Sequence, residues 1–243
     1  MQALAECLMS SNTKIAILFF SRNAKEESRK KSWFASTNGQ ENTALAASLI
    51  NQSGEFLKNS GLPIFHFHEG NQRGSNFGER FANAYQEVFD QGYSGVIAVG
   101  NDSPEIVNID LNEVSENLLS GNVVLGASMR GGAYLIGLTH ESFKKTEFQH
   151  LPWQSGKLFA ALHQMMLGKD QTPTLLQTLR DINSLNDFKI LMKDAGFQSA
   201  FKHFITFLKS RSKRFYRIIN ESIPDSFLLT NSRFRGPPVL FGA

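Results

Sequence analysis

Cysteine is almost missing from this chain of 243 residues: Cys7 is the single thiol, which excludes an intramolecular disulfide framework and fits a reducing compartment. No apolar run approaches the ~20 residues that a membrane-spanning helix needs. The first 13 residues carry no basic n-region, and the apolar run Ile15 to Phe20 is too short for a signal-peptide core. A cytoplasmic location is the resulting expectation. Internal repeats and low-complexity tracts are also lacking, so neither a solenoid nor a disordered chain is indicated.

What the chain does have is 41% hydrophobic residues, enough to bury one sizeable core. Its net charge of +3 is unevenly spread. Lys189 to Ala243 carries ten Lys or Arg against three Asp or Glu, whereas residues 1–188 carry fifteen against nineteen. A mildly acidic domain with a basic tail is implied, and such asymmetry bears on anionic partners, not on fold.

Hydrophobic spacing predicts strands at Lys14 to Phe20, Ile64 to Phe67, Gly95 to Val99, Asn122 to Gly126, Ala133 to Leu138 and Leu175 to Leu179. Helical spacing is found at Ala44 to Leu57, Phe77 to Phe89, Leu111 to Leu119 and Lys157 to Leu167. Ser184 and Asp187 resemble a capping box for a helix that would end at Gly196. The alternation predicts an α/β fold, a doubly wound mixed sheet with helices on both faces. We expect one domain over residues 1–196 and a helical basic appendage over 197–243. In the appendage Phe197, Phe201, Phe204, Leu208, Phe215 and Ile219 share one helical face. Packing on the domain is its first reading, and weak peripheral membrane contact is its second. Ser232 to Ala243 is expected to be extended.

The most informative stretch begins at Gly95. An apolar run stopped by Gly100-Asn101-Asp102-Ser103-Pro104 delivers a carboxylate to the carboxyl end of a strand, where open α/β sheets bind ligands. Pro104 then forces the chain out of the strand. After a helix follows Gly126-Ala127-Ser128-Met129-Arg130-Gly131-Gly132-Ala133-Tyr134-Leu135-Ile136-Gly137-Leu138. Together with Gly78 to Ala84, Leu151-Pro152-Trp153-Gln154 and Arg180-Asp181-Ile182-Asn183, these motifs resemble a family of small bacterial GT-A-like glycosyltransferases, some assigned to arsenosugar biosynthesis. The likeness covers roughly residues 14 to 192.

That resemblance implies a nucleotide-diphospho-sugar donor and a small-molecule acceptor, with no nucleic-acid partner. It places Ser21, Arg22, Lys31, Asn101, Asp102, Arg130, Gly131 and Gly132 on the donor side, Trp153 on the acceptor side, and Asp181 as general base by position. Asp102 would contact the ribose or a metal ion. Two departures from the family pattern matter. Arg130 stands where the family has an Asp before the double glycine, and Asn183 replaces a late acid, so Mg²⁺ or Mn²⁺ dependence is not implied. The alternatives are a nucleotidyltransferase, for which no glycine-rich loop with an Arg-Lys pair follows the first strand, and a non-catalytic nucleotide binder. His66 and His68 face one side of a strand without a third ligand nearby, which does not make a zinc site. Glu79 and Arg80 open a helix, where a carboxylate suits the dipole without any function, and a functional reading stands beside that one.

Overall fold

The computed structural model describes residues 14–34, 39–168 and 172–211. Cys7, Phe215, Ile219 and the 232–243 segment lie outside them. The described residues form two compact units, one ending at Asn183 and one beginning at Ser184.

In the first unit, short apolar runs make the strands β1 (Ile15–Phe20), β2 (Ile64–Phe67), β3 (Gly95–Val99), β4 (Val124–Ser128), β5 (Ala133–Thr139) and β6 (Thr174–Leu179). They build one sheet in the order β2-β1-β3-β5-β4-β6. β1 runs parallel to β2 and β3, and β4 runs parallel to β6, while β5 is antiparallel to both β3 and β4. The sheet is therefore parallel except for β5, and the carboxyl ends of five strands meet at one edge together with the start of β5. Near-continuous apolar strands are what such a sheet requires, because both of its faces are covered.

Alternation along β1 and β3 divides the core into two layers. Ala16, Leu18, Val96 and Ala98 face α3 (Phe77–Phe89), α5 (Lys145–Gln149) and α6 (Leu158–Leu167). Ile15, Ile17, Phe19, Ile97 and Val99 face the other way, toward Leu57 of α2 (Gln40–Lys58), Ile106 of the 3₁₀ turn Pro104–Asn108, and Leu111, Val114 and Leu118 of α4 (Leu111–Leu119). The doubly wound mixed sheet is thus the fold the chain adopts.

One segment departs from its sequence reading. The polar, charged segment Ser21 to Lys31 shows no apolar spacing that would mark an element, yet Ala24–Lys30 is a helix, α1, started by Asn23, whose side chain accepts a hydrogen bond from the Glu26 amide at 2.9 Å. Its inward residue is the buried Glu27, a polar group where pattern reasoning looks for an apolar one.

The second unit contains α7 (Leu185–Leu191), α8 (Ala195–Ala200) and α9 (Lys202–Arg211). Ser184 caps α7 by accepting from the Asp187 amide at 3.2 Å, as its motif predicts. The helix stops at Leu191, before the expected Gly196, because Asp194 accepts from the Phe197 amide at 2.7 Å and starts a new one. Phe188, Phe197, Phe201 and Phe204 are buried and pack ring on ring, with Phe197 stacked on Phe201 at 4.4 Å.

Candidate functional site

At the carboxyl edge of the sheet the first unit opens into a cleft of about 470 Å³, within the size range of small-molecule sites. Four of the five strands that end there contribute directly to the lining: Ser21 and Arg22 after β1, Asn101, Asp102 and Ser103 after β3, Ser128 and Arg130 at the end of β4, Asp181 and Asn183 after β6. Gly132 and Tyr134 enter from the start of β5, Lys31 from the end of α1, and Trp153 from the loop before α6. Every donor-side and acceptor-side residue expected from the sequence lines this cleft except Gly131. That glycine has φ 78° and lies so close to Gly156 that a Cβ would stand 2.0 Å from the Gly156 carbonyl oxygen. Gly131 therefore shapes the turn that presents Arg130 and does not itself line the cleft.

The polar wall is a chain of paired charges. Lys31 Nζ, sealed from solvent, lies 2.6 Å from Asp102 Oδ1 and 3.2 Å from Glu27 Oε1, and Arg22 Nη1 donates to Glu27 Oε2 at 2.9 Å. Burial alone would lower the Lys31 pKa, but the Asp102 and Glu27 carboxylates outweigh it and hold the ammonium above its ordinary value. The next link is Asp181. Its segment is fixed from both sides, since the Ile182 amide donates to the Asp102 carbonyl at 2.9 Å and the buried Trp33 indole donates to the Ile182 carbonyl at 2.8 Å. This places Asp181 Oδ1 at 2.5 Å from the Ser103 hydroxyl, which donates to it. Burial pushes the Asp181 pKa up and nearby Asp102 adds to the rise, against the lowering effect of Ser103, Ser128 and Lys31.

Asn101 is 5% exposed and its Nδ2 has no hydrogen-bond partner among the described residues. A buried donor left unpaired costs about 1–3 kcal/mol. At the lining of a cleft it marks a place where a ligand acceptor would fit.

The opposite wall is aromatic. Phe20, Phe77, Phe81 and Trp153 line it, with Phe20 to Phe81 centroids at 4.7 Å and Phe77 to Trp153 at 5.5 Å. Gly78 permits this arrangement, because a Cβ there would stand 2.1 Å from the Gln149 carbonyl oxygen and 2.7 Å from the Trp153 ring. Gln154, beside Trp153 on the rim, is the non-glycine residue with a left-handed backbone among those described, φ 60°.

Sequence reasoning missed Glu27, Ser103, Ser128 and Gln154, while Arg80, weighed there with Glu79, lines the cleft. Ser103 and Ser128 stand within motifs already singled out and were detectable there. Glu27 was detectable only by assigning α1. Glu79 proves to be a cap, accepting from the Ser75 amide at 2.8 Å and the Asn76 side chain at 2.8 Å. His66 is taken up by Ser21 Oγ at 2.8 Å.

A GT-A-like fold implies a divalent cation held between acidic side chains and a diphosphate. The donor set here does not fit one. The Asp102 carboxylate is engaged by an ammonium, Asp181 by a hydroxyl, Arg130 and Asn183 occupy the remaining motif positions, and no group of three His, Cys, Asp or Glu among the described residues is arranged to hold a metal.

The fold is shared with a crystal structure of a candidate nucleotide-diphospho-sugar transferase from Desulfovibrio desulfuricans G20, which is 18% identical, has a TM-score of 0.71, and aligns over 88% of this chain and 100% of that one. That likeness identifies the architecture as GT-A-like. Two further structures have TM-scores too low to support any argument. One is the manganese complex of Rv0371C from Mycobacterium tuberculosis H37Rv (10% identical, TM-score 0.41, 73% of this chain and 97% of that one). The other is a glycosyltransferase involved in the glycosylation of the major capsid of PBCV-1 (10%, 0.39, 67% and 80%). No curated protein matches the chain. A family model does match, over residues 23–155, from the start of α1 through the Trp153 loop. The chain belongs to that family, the uncharacterized proteins conserved in bacteria designated DUF2064.

Proposed function

We propose that the cleft binds a nucleotide-diphospho-sugar and that the protein transfers the sugar to a small acceptor. The observation that carries this reading is the meeting, at the carboxyl edge of a GT-A-like sheet, of an unpaired buried donor on Asn101, the Asp102 carboxylate and the cations of Arg22, Lys31, Arg80 and Arg130. Ligands of open α/β sheets sit at this edge, and guanidinium forks match phosphate oxygens. Ser21 and Gly132 complete the donor side. The aromatic wall with Trp153 then belongs to the acceptor side, an apolar panel on which a small molecule can lie flat.

In the transfer, an acceptor hydroxyl attacks the anomeric carbon as the bond to the diphosphate oxygen breaks, releasing a nucleoside diphosphate. Asp181 takes the hydroxyl proton. A carboxylate with a raised pKa is a better base near neutral pH than an ordinary one. The negative charge that develops on the leaving diphosphate is met by the arginines.

A non-catalytic nucleotide binder is the second reading, favoured by the Lys31 ammonium on Asp102. Both readings predict that nucleoside diphosphates raise the melting temperature, and that Asn101→Ala weakens this binding by roughly tenfold to a hundredfold, the equivalent of about 1–3 kcal/mol. The variant itself should lose little stability, because the Nδ2 donor it removes has no partner among the described residues. Normal binding by Asn101→Ala would remove the residue from the site. Release of nucleoside diphosphate from a nucleotide-sugar, measured across acceptor alcohols, separates transfer from binding alone.

A further inference from the structure

The geometry points to a site in which resident cations replace the divalent ion: we infer that Lys31 takes up the Asp102 carboxylate and that fixed arginines hold the ligand's diphosphate, so that nucleotide binding is independent of metal. The inference rests on the nucleotide-diphosphate reading of the cleft.

Three observations support it. First, Asp102 is the only carboxylate of the Gly-Asn-Asp-Ser-Pro turn, and one of its oxygens is already 2.6 Å from Lys31 Nζ. A divalent ion bound there would face an ammonium at ligand distance. Second, the ammonium is not free to leave. Lys31 stands at the end of α1, its amide donates to the Glu27 carbonyl at 2.9 Å, and its Nζ is shared with the Glu27 carboxylate at 3.2 Å. Swinging Lys31 away would strip a partner from Glu27, whose side chain is 4% exposed. Third, Arg22, Arg80 and Arg130 line the same cleft. With Lys31 these cations outnumber Glu27, Asp102 and Asp181 around the cleft, so its lining as a whole carries net positive charge before any ion is added. Guanidinium groups supply paired donors in a fixed fork, which binds phosphate without the dehydration that Mg²⁺ requires.

The test is calorimetric binding of UDP, GDP, ADP, CDP and dTDP to the full chain, in EDTA and in Mn²⁺ or Mg²⁺. At least one nucleotide should bind in EDTA, with an affinity within about twofold of that in metal. Lys31→Met leaves the Asp102 and Glu27 charges uncompensated beside the phosphates. It should weaken binding in EDTA by at least about tenfold and make binding respond to Mn²⁺, because Asp102 is released as a ligand. Lys31→Arg keeps the cation and should bind as the parent does, so that loss in both variants would indicate misfolding of α1 and would be checked by circular dichroism. Should Lys31→Met not fold, the parent's behaviour in EDTA and that of Lys31→Arg decide. Binding that requires metal overturns the inference and leaves the nucleotide reading standing, as does a folded Lys31→Met that binds normally in EDTA. Binding under neither condition overturns both.

Discussion

The two walls of the cleft are stabilised in opposite ways. The aromatic wall is the exposed end of the hydrophobic core: Phe81 touches Phe20, Phe77 and Trp153 at the cleft and Tyr85 and Phe148 beneath it. The polar wall is held differently. Its groups are held by one another, from Arg22 through Glu27 and Lys31 to Asp102, with Asp181 beside them on Ser103. Recognition at the aromatic wall is therefore hard to change without unfolding the protein. Recognition at the polar wall can drift as long as its buried charges stay paired.

The largest effect should come from the aromatic wall. Phe81 is 7% exposed and bridges cleft and core, so Phe81→Ala removes a buried ring and leaves a cavity that costs about 3–5 kcal/mol. Denaturant unfolding should report this loss. A loss below about 1 kcal/mol would mean that the wall is a separable surface and that the contrast fails.

The same contrast explains what was legible in the sequence. β2, β3, α3 and α4 are bounded as their periodicity predicts, because apolar residues repeating at strand or helix spacing leave a clear trace. The convergence of Asn101, Asp102, Arg130 and Trp153 was also legible, since motifs at strand ends must meet once the sheet is parallel. The pairing of Lys31 with Asp102 was not. It depends on α1, whose buried face is a glutamate, and on two residues 71 positions apart. Electrostatic contacts between polar residues leave no periodic signal. The break between α7 and α8 was hidden for a related reason, as Asp194 lies inside a stretch that keeps helical spacing and ends the helix only by capping the next one.

A smaller loss is expected for Glu27→Ala, about 1–3 kcal/mol, because Lys31 and Arg22 lose their shared buried acceptor. The Glu26–Arg29 pair on the outer surface of the same helix is the control. Both side chains are exposed there, and Arg29→Ala should cost no more than ~1 kcal/mol. Combining Glu27→Gln with Lys31→Met should recover little of the Glu27→Ala loss, since Arg22 still lacks its carboxylate and Asp102 loses its ammonium. Equal effects for Glu27→Ala and Arg29→Ala would show that the polar wall is ordinary surface.

The smallest change in stability, and the sharpest separation of stability from function, should come from Asp181. Burial raises its pKa in the folded protein, so the folded state binds this proton more tightly than the unfolded state does. The penalty is absent at acid pH, where both states are protonated, and grows as the pH rises from the unfolded to the folded value. Asp181→Asn abolishes the penalty and still accepts from Ser103. It should match the parent at acid pH and be equal or slightly more stable at neutral pH, by less than ~1 kcal/mol, while transfer falls by about 10²–10⁴-fold if Asp181 is the base. The Ser103 hydroxyl favours the ionised form, so Ser103→Ala should move the acidic limb of the transfer profile to higher pH. A limb that stays in place, or an Asp181→Asn protein that is markedly less stable than the parent at neutral pH, would make Asp181 a structural partner of Ser103 and Ile182 and would leave the base to be sought elsewhere in the cleft.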